Sequence, residues 1–180
     1  MNKSLKIILL ILQIGGGLLG LGLIGRTFLT KQLPQTALII HIAFIFVFLF
    51  GIVAGVALVR KPKLGFWLSA VFQALQIPII VIPATAYLLV SGACFNLYRH
   101  AGGFGYKFVF GSHYYFTIHS TDSWMAGINV LALVLFILLV REIRLQSVFS
   151  KICEPQPSME YPSQAQDHQP KGSHLQHILR

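Results

Sequence analysis

Five neutral polar side chains stand inside otherwise apolar runs of this chain: Gln13, His41, Gln73, Gln76 and Asn129. An amide or imidazole at such a place must be hydrogen-bonded, because an unpaired polar group away from water costs several kcal/mol. Residues of this kind join helices, each contact contributing about 1 kcal/mol. They can also line a path for a neutral solute. Two small-residue patterns accompany them, Gly16-x-x-x-Gly20 and Gly51-x-x-x-Gly55, whose spacing lets helix backbones approach closely. These nine positions are the candidate polar and packing sites.

Reactive chemistry is thin by comparison. The two cysteines, Cys94 and Cys153, form no C-x-x-C and fall on opposite sides of the membrane in the topology below, so they are not expected to pair. His100, His113, His119 and Asp122 share one connecting segment, and His168, His174 and His177 are dispersed in the tail. Their spacing does not read as a metal site, since ligands come closer in sequence or converge from separate elements. No phosphate loop, serine-nucleophile motif or carboxylate pair is present; Gly15-Gly16-Gly17 lies inside an apolar run. Ion-coupled carriers and voltage sensors use charges inside their spans, and beyond Lys6 these runs contain none. No catalytic residue, cofactor or metal is expected.

The elements that position these residues follow from composition. Of 180 residues, 55% are hydrophobic and 11% charged, against about 25% charged in an ordinary soluble domain. Mean hydropathy is +0.71. Crossing a bilayer takes about 20 apolar residues, and four runs approach that length: 5–23, 37–59, 65–90 and 124–140. The expected fold class is all-α membrane, a bundle of four transmembrane helices. Pro78 and Pro83 should kink the third helix. Gln13 and Gln76, both near mid-depth, should bond to each other across the first and third. A cleaved signal peptide is the less favoured reading of the N-terminus, because its apolar run is long and lacks Ala-x-Ala.

The net charge of +9 would suggest nucleic acid in a soluble protein, but the basic residues flank the apolar runs, which is the pattern of topology signals and anionic-lipid contact. Lys3, Lys6, Arg60, Lys61, Lys63, Arg141, Arg144 and Lys151 fall on one side; Arg26, Lys31, Arg99 and Lys107 fall on the other. Both termini are therefore expected in the cytoplasm. Segment 91–123 is expected outside, with a β-hairpin whose two-residue turn is Gly111-Ser112, pairing Phe110 with His113 and Phe108 with Tyr115. Residues 141–153 read as a helix along the inner surface and 154–180 as a disordered tail. The cysteine pairs and loop motifs of four-span claudin-like and tetraspanin-like proteins are absent, and span count alone carries no relation.

The function expected is that of a non-catalytic multi-pass integral membrane protein: a subunit, accessory or envelope-interaction protein. The alternative is a small pore or facilitator for a neutral solute. The partners expected are the lipid bilayer and another membrane protein or a second copy of the chain, not nucleic acid. The lack of an Asn-x-Ser/Thr in the outer segment fits a bacterial inner membrane.

Overall fold

The computed structural model describes residues 3–30, 32–118 and 124–152, with the side chains of 118 and 149–152 excepted. Four helices and six strands are described. Helix α1 runs Lys3–Thr30 with one π-helical turn at Ile11–Gly15; α2 is Gln35–Arg60, α3 Pro62–Gln76 and α4 Val130–Ile152. Between α3 and α4 lie β1 (Pro78–Ile82), β2 (Thr85–Val90), β3 (Ala93–His100), β4 (Gly103–Phe110), β5 (His113–Ile118) and β6 (Met125–Asn129). They form one antiparallel sheet in the order β4-β3-β6-β1-β2-β5.

This overturns the all-α four-helix bundle. Among the described residues, only α1 and α2 are long and apolar enough to cross a membrane. Helix α3 has 15 residues, about 22 Å at 1.5 Å each, short of the roughly 30 Å hydrocarbon core. The run 65–90 does not kink at Pro78; it stops being helical after Gln76. Pro78 has no N–H to give a helix, and Ile79-Ile80-Val81-Ile82 is β-branched throughout. Pro78 instead opens β1, a position where a strand tolerates proline. Pro83 sits in the two-residue turn joining β1 to β2, where its fixed φ suits the first central position. The run 124–140 likewise begins as a strand, and α4 starts only after Asn129.

The expected Gly111-Ser112 hairpin is also not formed. Phe110 faces Ala93 and His113 faces Val90, so β4 and β5 both pair with the preceding chain. Residues 85–100 and 103–118 make one long hairpin with its tip at Ala101-Gly102. Eight pairs lie on one side of a sharp bend and six on the other, in the same register. At the bend Gly92 (φ +89°) and Gly111 (φ +111°) adopt left-handed backbone, and the Gly111 N–H donates to the Gly92 carbonyl. A turn at Gly111 would have given only a short local ladder; pairing with 85–100 roughly doubles it.

The bend brings the two arms into a V, and β1 and β6 close it. β1 pairs with β2, β6 pairs with β3, and β1 and β6 pair with each other. The inner face of this closed half holds Ile79, Val81, Ala86, Val90, Cys94, Asn96 and Asn129, all buried. The outer face follows the opposite residues, Ile80, Leu97 and Ile128 among them, and these are exposed. The β2–β5 arm lies against α1 and α2, where Leu89 packs with Ile24, Phe44 and Phe48. A second cluster of Leu9, Leu58, Phe66, Ala70, Leu135 and Leu139 ties together the four helices at their basic ends. Helix α4 continues unbroken past Arg141 to Ile152; the expected tail, 154–180, lies outside the described residues.

The bend can be tested through its glycine. A Cβ at Gly92 would stand 2.9 Å from the Leu12 carbonyl oxygen and its side chain. Gly92→Ala is expected to lower stability by about 1–3 kcal/mol. Gly22→Ala, on an open face of α1, should be neutral or stabilising by up to about 1 kcal/mol. Parallel circular-dichroism melts check this; equal melting temperatures for the two variants would show that the bend is not tightly docked.

Candidate functional site

The vertex of the V enters the helix bundle halfway along α1, and the buried polar side chains gather there. Within the π turn, Leu12 offers its carbonyl to the Ser91 hydroxyl at 3.4 Å. One turn on, the Gly16 carbonyl accepts a short hydrogen bond from the Ser112 hydroxyl. The Leu12 carbonyl also accepts from the Gly16 N–H, so the Ser91 hydroxyl shares an oxygen already bonded within the helix. Gly16 has no side chain to obstruct this contact: a Cβ there would lie 2.4 Å from the Gly92 nitrogen. The Ser112 hydroxyl also accepts from the Gly92 N–H at 3.4 Å.

The amides complete the hub. Gln76, at the last turn of α3, accepts the Ser91 N–H through Oε1 at 2.8 Å, and its Nε2 donates to the Phe72 carbonyl at 3.4 Å. Gln13 does bridge α1 to α3, but its partner is Ser69, whose hydroxyl donates to Gln13 Oε1 at 3.1 Å. The expected Gln13–Gln76 bond is therefore replaced by two separate ones, because the inserted bend supplies a backbone donor at the level of Gln76. Gln73 is buried on α3 one turn below. Asn129 caps α4: its Oδ1 accepts from the Ala132 N–H and from the Phe95 N–H, each at 3.3 Å. Buried Asn96 stands opposite Asn129 in the ladder. Gln13 Nε2, Asn96 Oδ1 and Asn129 Nδ2 are buried without a partner among the described residues.

The remaining sequence candidates serve packing. His41 Nδ1 lies 2.7 Å from the Ala37 carbonyl, and the ring sits between Phe28 and Tyr114. Gly20 meets the Phe48 ring, Gly51 the Phe72 ring, and Gly55 the Ile14 and Gln13 side chains, so both small-residue patterns are used within this chain. Cys94 is buried and free. His100 and His113 lie on different arms of the hairpin, and no group of three or more potential metal ligands converges among the described residues. His119, Asp122, Cys153 and the tail histidines lie outside them.

Sequence reasoning missed Ser69, Ser91 and Ser112. A serine inside the apolar run of α3, and the Ser-Gly and Gly-Ser pairs at 91–92 and 111–112, were the available signals. Every side chain of the hub is an uncharged amide or hydroxyl. Such groups hold backbones and helices together, but none is an acid or base at neutral pH. No family model, curated protein or solved structure matches this chain.

Two predictions follow from the hub. Ser69→Ala strips the last partner from the Gln13 amide and should cost about 1–3 kcal/mol, whereas Gln13→Leu with Ser69→Ala removes both polar groups and should recover much of the loss. Thermal melts of the two variants beside the parent protein decide; a double variant weaker than Ser69→Ala would contradict the pairing. Burial pushes the Cys94 thiol up from its usual value near 9. The folded state then holds its proton more tightly than the unfolded chain, so this contribution to stability is complete below about pH 9 and is lost as pH rises above it. In a Cys153→Ser background, iodoacetamide at pH 8 should leave Cys94 unmodified until denaturant is added. Rapid alkylation of the folded protein would show the site to be open.

Proposed function

We propose that this is a non-catalytic integral membrane protein, acting as a subunit, accessory or envelope-interaction protein. In this reading α1 and α2 cross the bilayer, and the bent sheet stands beside their outer halves. The observation that carries it is the direction of the apolar side chains. Only 33% of the apolar window in each long helix is buried. Ile7, Ile11, Leu18 and Leu23 on α1, and Ile39, Phe46, Val53 and Val59 on α2, are exposed from end to end. A core helix of a soluble domain turns such residues inward; a belt of this length facing outward suits lipid.

Charge supports an orientation. The cluster joining Leu9, Leu58, Phe66 and Leu139 lies near the end of the bundle where the start of α1 carries Lys3 and Lys6, the α2–α3 junction Arg60, Lys61 and Lys63, and the latter half of α4 Arg141 and Arg144. That end is cytoplasmic under the positive-inside rule, and the hairpin tip at Ala101-Gly102 is external. A bacterial inner membrane fits this arrangement. The interaction role is supported by β4, an edge strand on which Phe104, Tyr106, Phe108 and Phe110 are exposed along one face. Exposed aromatics on an unpaired edge are what a partner surface uses.

A small pore for a neutral solute is disfavoured, because Gln13 and Gln76 are engaged by Ser69, Ser91 and Phe72. Amides held this way do not offer a continuous polar path.

The test has two parts. In a Cys94→Ala, Cys153→Ser background, a membrane-impermeant maleimide on intact cells should label Ala101→Cys and not Lys61→Cys. The protein should also stay with membranes after alkaline carbonate washing. Recovery in the soluble fraction would sink the membrane reading, and the reverse labelling would invert the topology. Purified protein in liposomes should give no glycerol or urea flux above empty vesicles; robust flux abolished by Gln76→Leu would make it a pore.

A further inference from the structure

A groove of about 870 Å³ runs between α3 and α4 on the outside of the bundle. Its walls are Trp67, Val71 and Leu75 from α3, and Phe136 and Val140 from α4. Trp67, Val71 and Leu75 are 60%, 48% and 40% exposed, so no described residue covers this trough. Trp67 to Leu75 spans about 12 Å along the helix. Charge is confined to one end: Lys63, from the first turn of α3, and Arg144, from the charged half of α4, stand at the mouth with Gln146. Among the described residues, no carboxylate lines the groove.

We propose that this groove binds one acidic phospholipid of the inner leaflet, with the phosphate at Lys63 and Arg144 and an acyl chain along Trp67, Val71, Leu75 and Phe136. The proposal rests on the membrane orientation given above and assigns that orientation a specific lipid. Three features select the occupant. Two cations with no carboxylate beside them in the described lining favour a net negative headgroup over a zwitterionic one. The apolar trough begins at the charged mouth and leads toward mid-depth, the geometry of an amphiphile entering from the cytoplasmic face. Inorganic phosphate would use the mouth alone and leave the trough uncovered. Arg144 also borders the neighbouring depression formed by Ile137, Val140, Arg141 and Leu145, so the basic mouth extends along the membrane surface.

Trp67 provides the readout. The chain has two tryptophans, and Trp124→Phe leaves Trp67 as the sole emitter. The protein is reconstituted in vesicles doped with brominated-chain phosphatidylglycerol or brominated-chain phosphatidylcholine. Half-maximal quenching is expected at about tenfold lower mole fraction of the acidic lipid. The Lys63→Gln/Arg144→Gln variant should lose that difference. Arg60→Gln/Lys61→Gln removes the same charge from the same end, outside the groove, and should keep it. Excess inorganic phosphate should leave the quenching unchanged; relief by phosphate would assign the mouth to a free anion and overturn the lipid. Equal quenching by both lipids, or an equal loss in both variants, would also overturn the proposal while leaving the membrane reading intact. Absence of any quenching, with the protein left in the supernatant after the vesicles are sedimented, would defeat the membrane reading itself.

Discussion

The structure depends on a bent strand pair entering a helical bundle at its middle. A sharp bend exposes backbone donors and acceptors, and the interior of an apolar bundle offers no water to satisfy them. Here the bundle supplies the partners. Gln76 accepts the Ser91 N–H, the π turn of α1 presents the Leu12 carbonyl, and Gly16 both accepts from Ser112 and leaves room for the Gly92 backbone. Each contact is modest alone. Together they remove the main objection to placing irregular backbone at that depth.

Much of the remaining architecture surrounds that insertion. Helix α3 stops at Gln76, ahead of Pro78 and the β-branched run, and α4 begins at Val130 behind the Asn129 cap. The antiparallel α3–α4 pair then continues upward as the antiparallel β1–β6 pair, with the Asn129 N–H donating to the Ile77 carbonyl at the junction. Closure of β1 and β6 onto the two arms of the V satisfies their backbones without an open edge between them. β4 and β5 keep a free edge, and β4 carries the exposed aromatic row. Where Phe104 nears the hairpin tip, the Arg99 guanidinium lies 5.3 Å above its ring.

The functional reading has the same basis. The polar interior is used to lock a joint, which leaves the outer surfaces to make contact with the surroundings. Those surfaces differ along the molecule: aliphatic on α1 and α2, aromatic on β4, and apolar with a basic mouth between α3 and α4. In the proposed reading, acyl chains, a partner and acidic headgroups would be met through these different parts of one small fold.

The order of residues is enough to settle composition, the segregation of basic side chains beside apolar runs, the two long helices, and the need for Gln13, Gln76 and Asn129 to find buried partners. Those conclusions rest on local periodicity and solvation, which a linear chain displays. It does not settle which partners they find, nor whether 77–90 and 125–129 are helix or strand. The strands are apolar on both faces, so their alternation is hidden and the run reads as one continuous span. The pairing of 85–100 with 103–118 competes with a local turn at Gly111-Ser112, and only the ladder as a whole, docked on α1, makes the longer pairing win. Ser69, Ser91 and Ser112 become hub residues for the same reason: a serine's hydrogen bond is decided by what the tertiary fold places within about 3 Å of it.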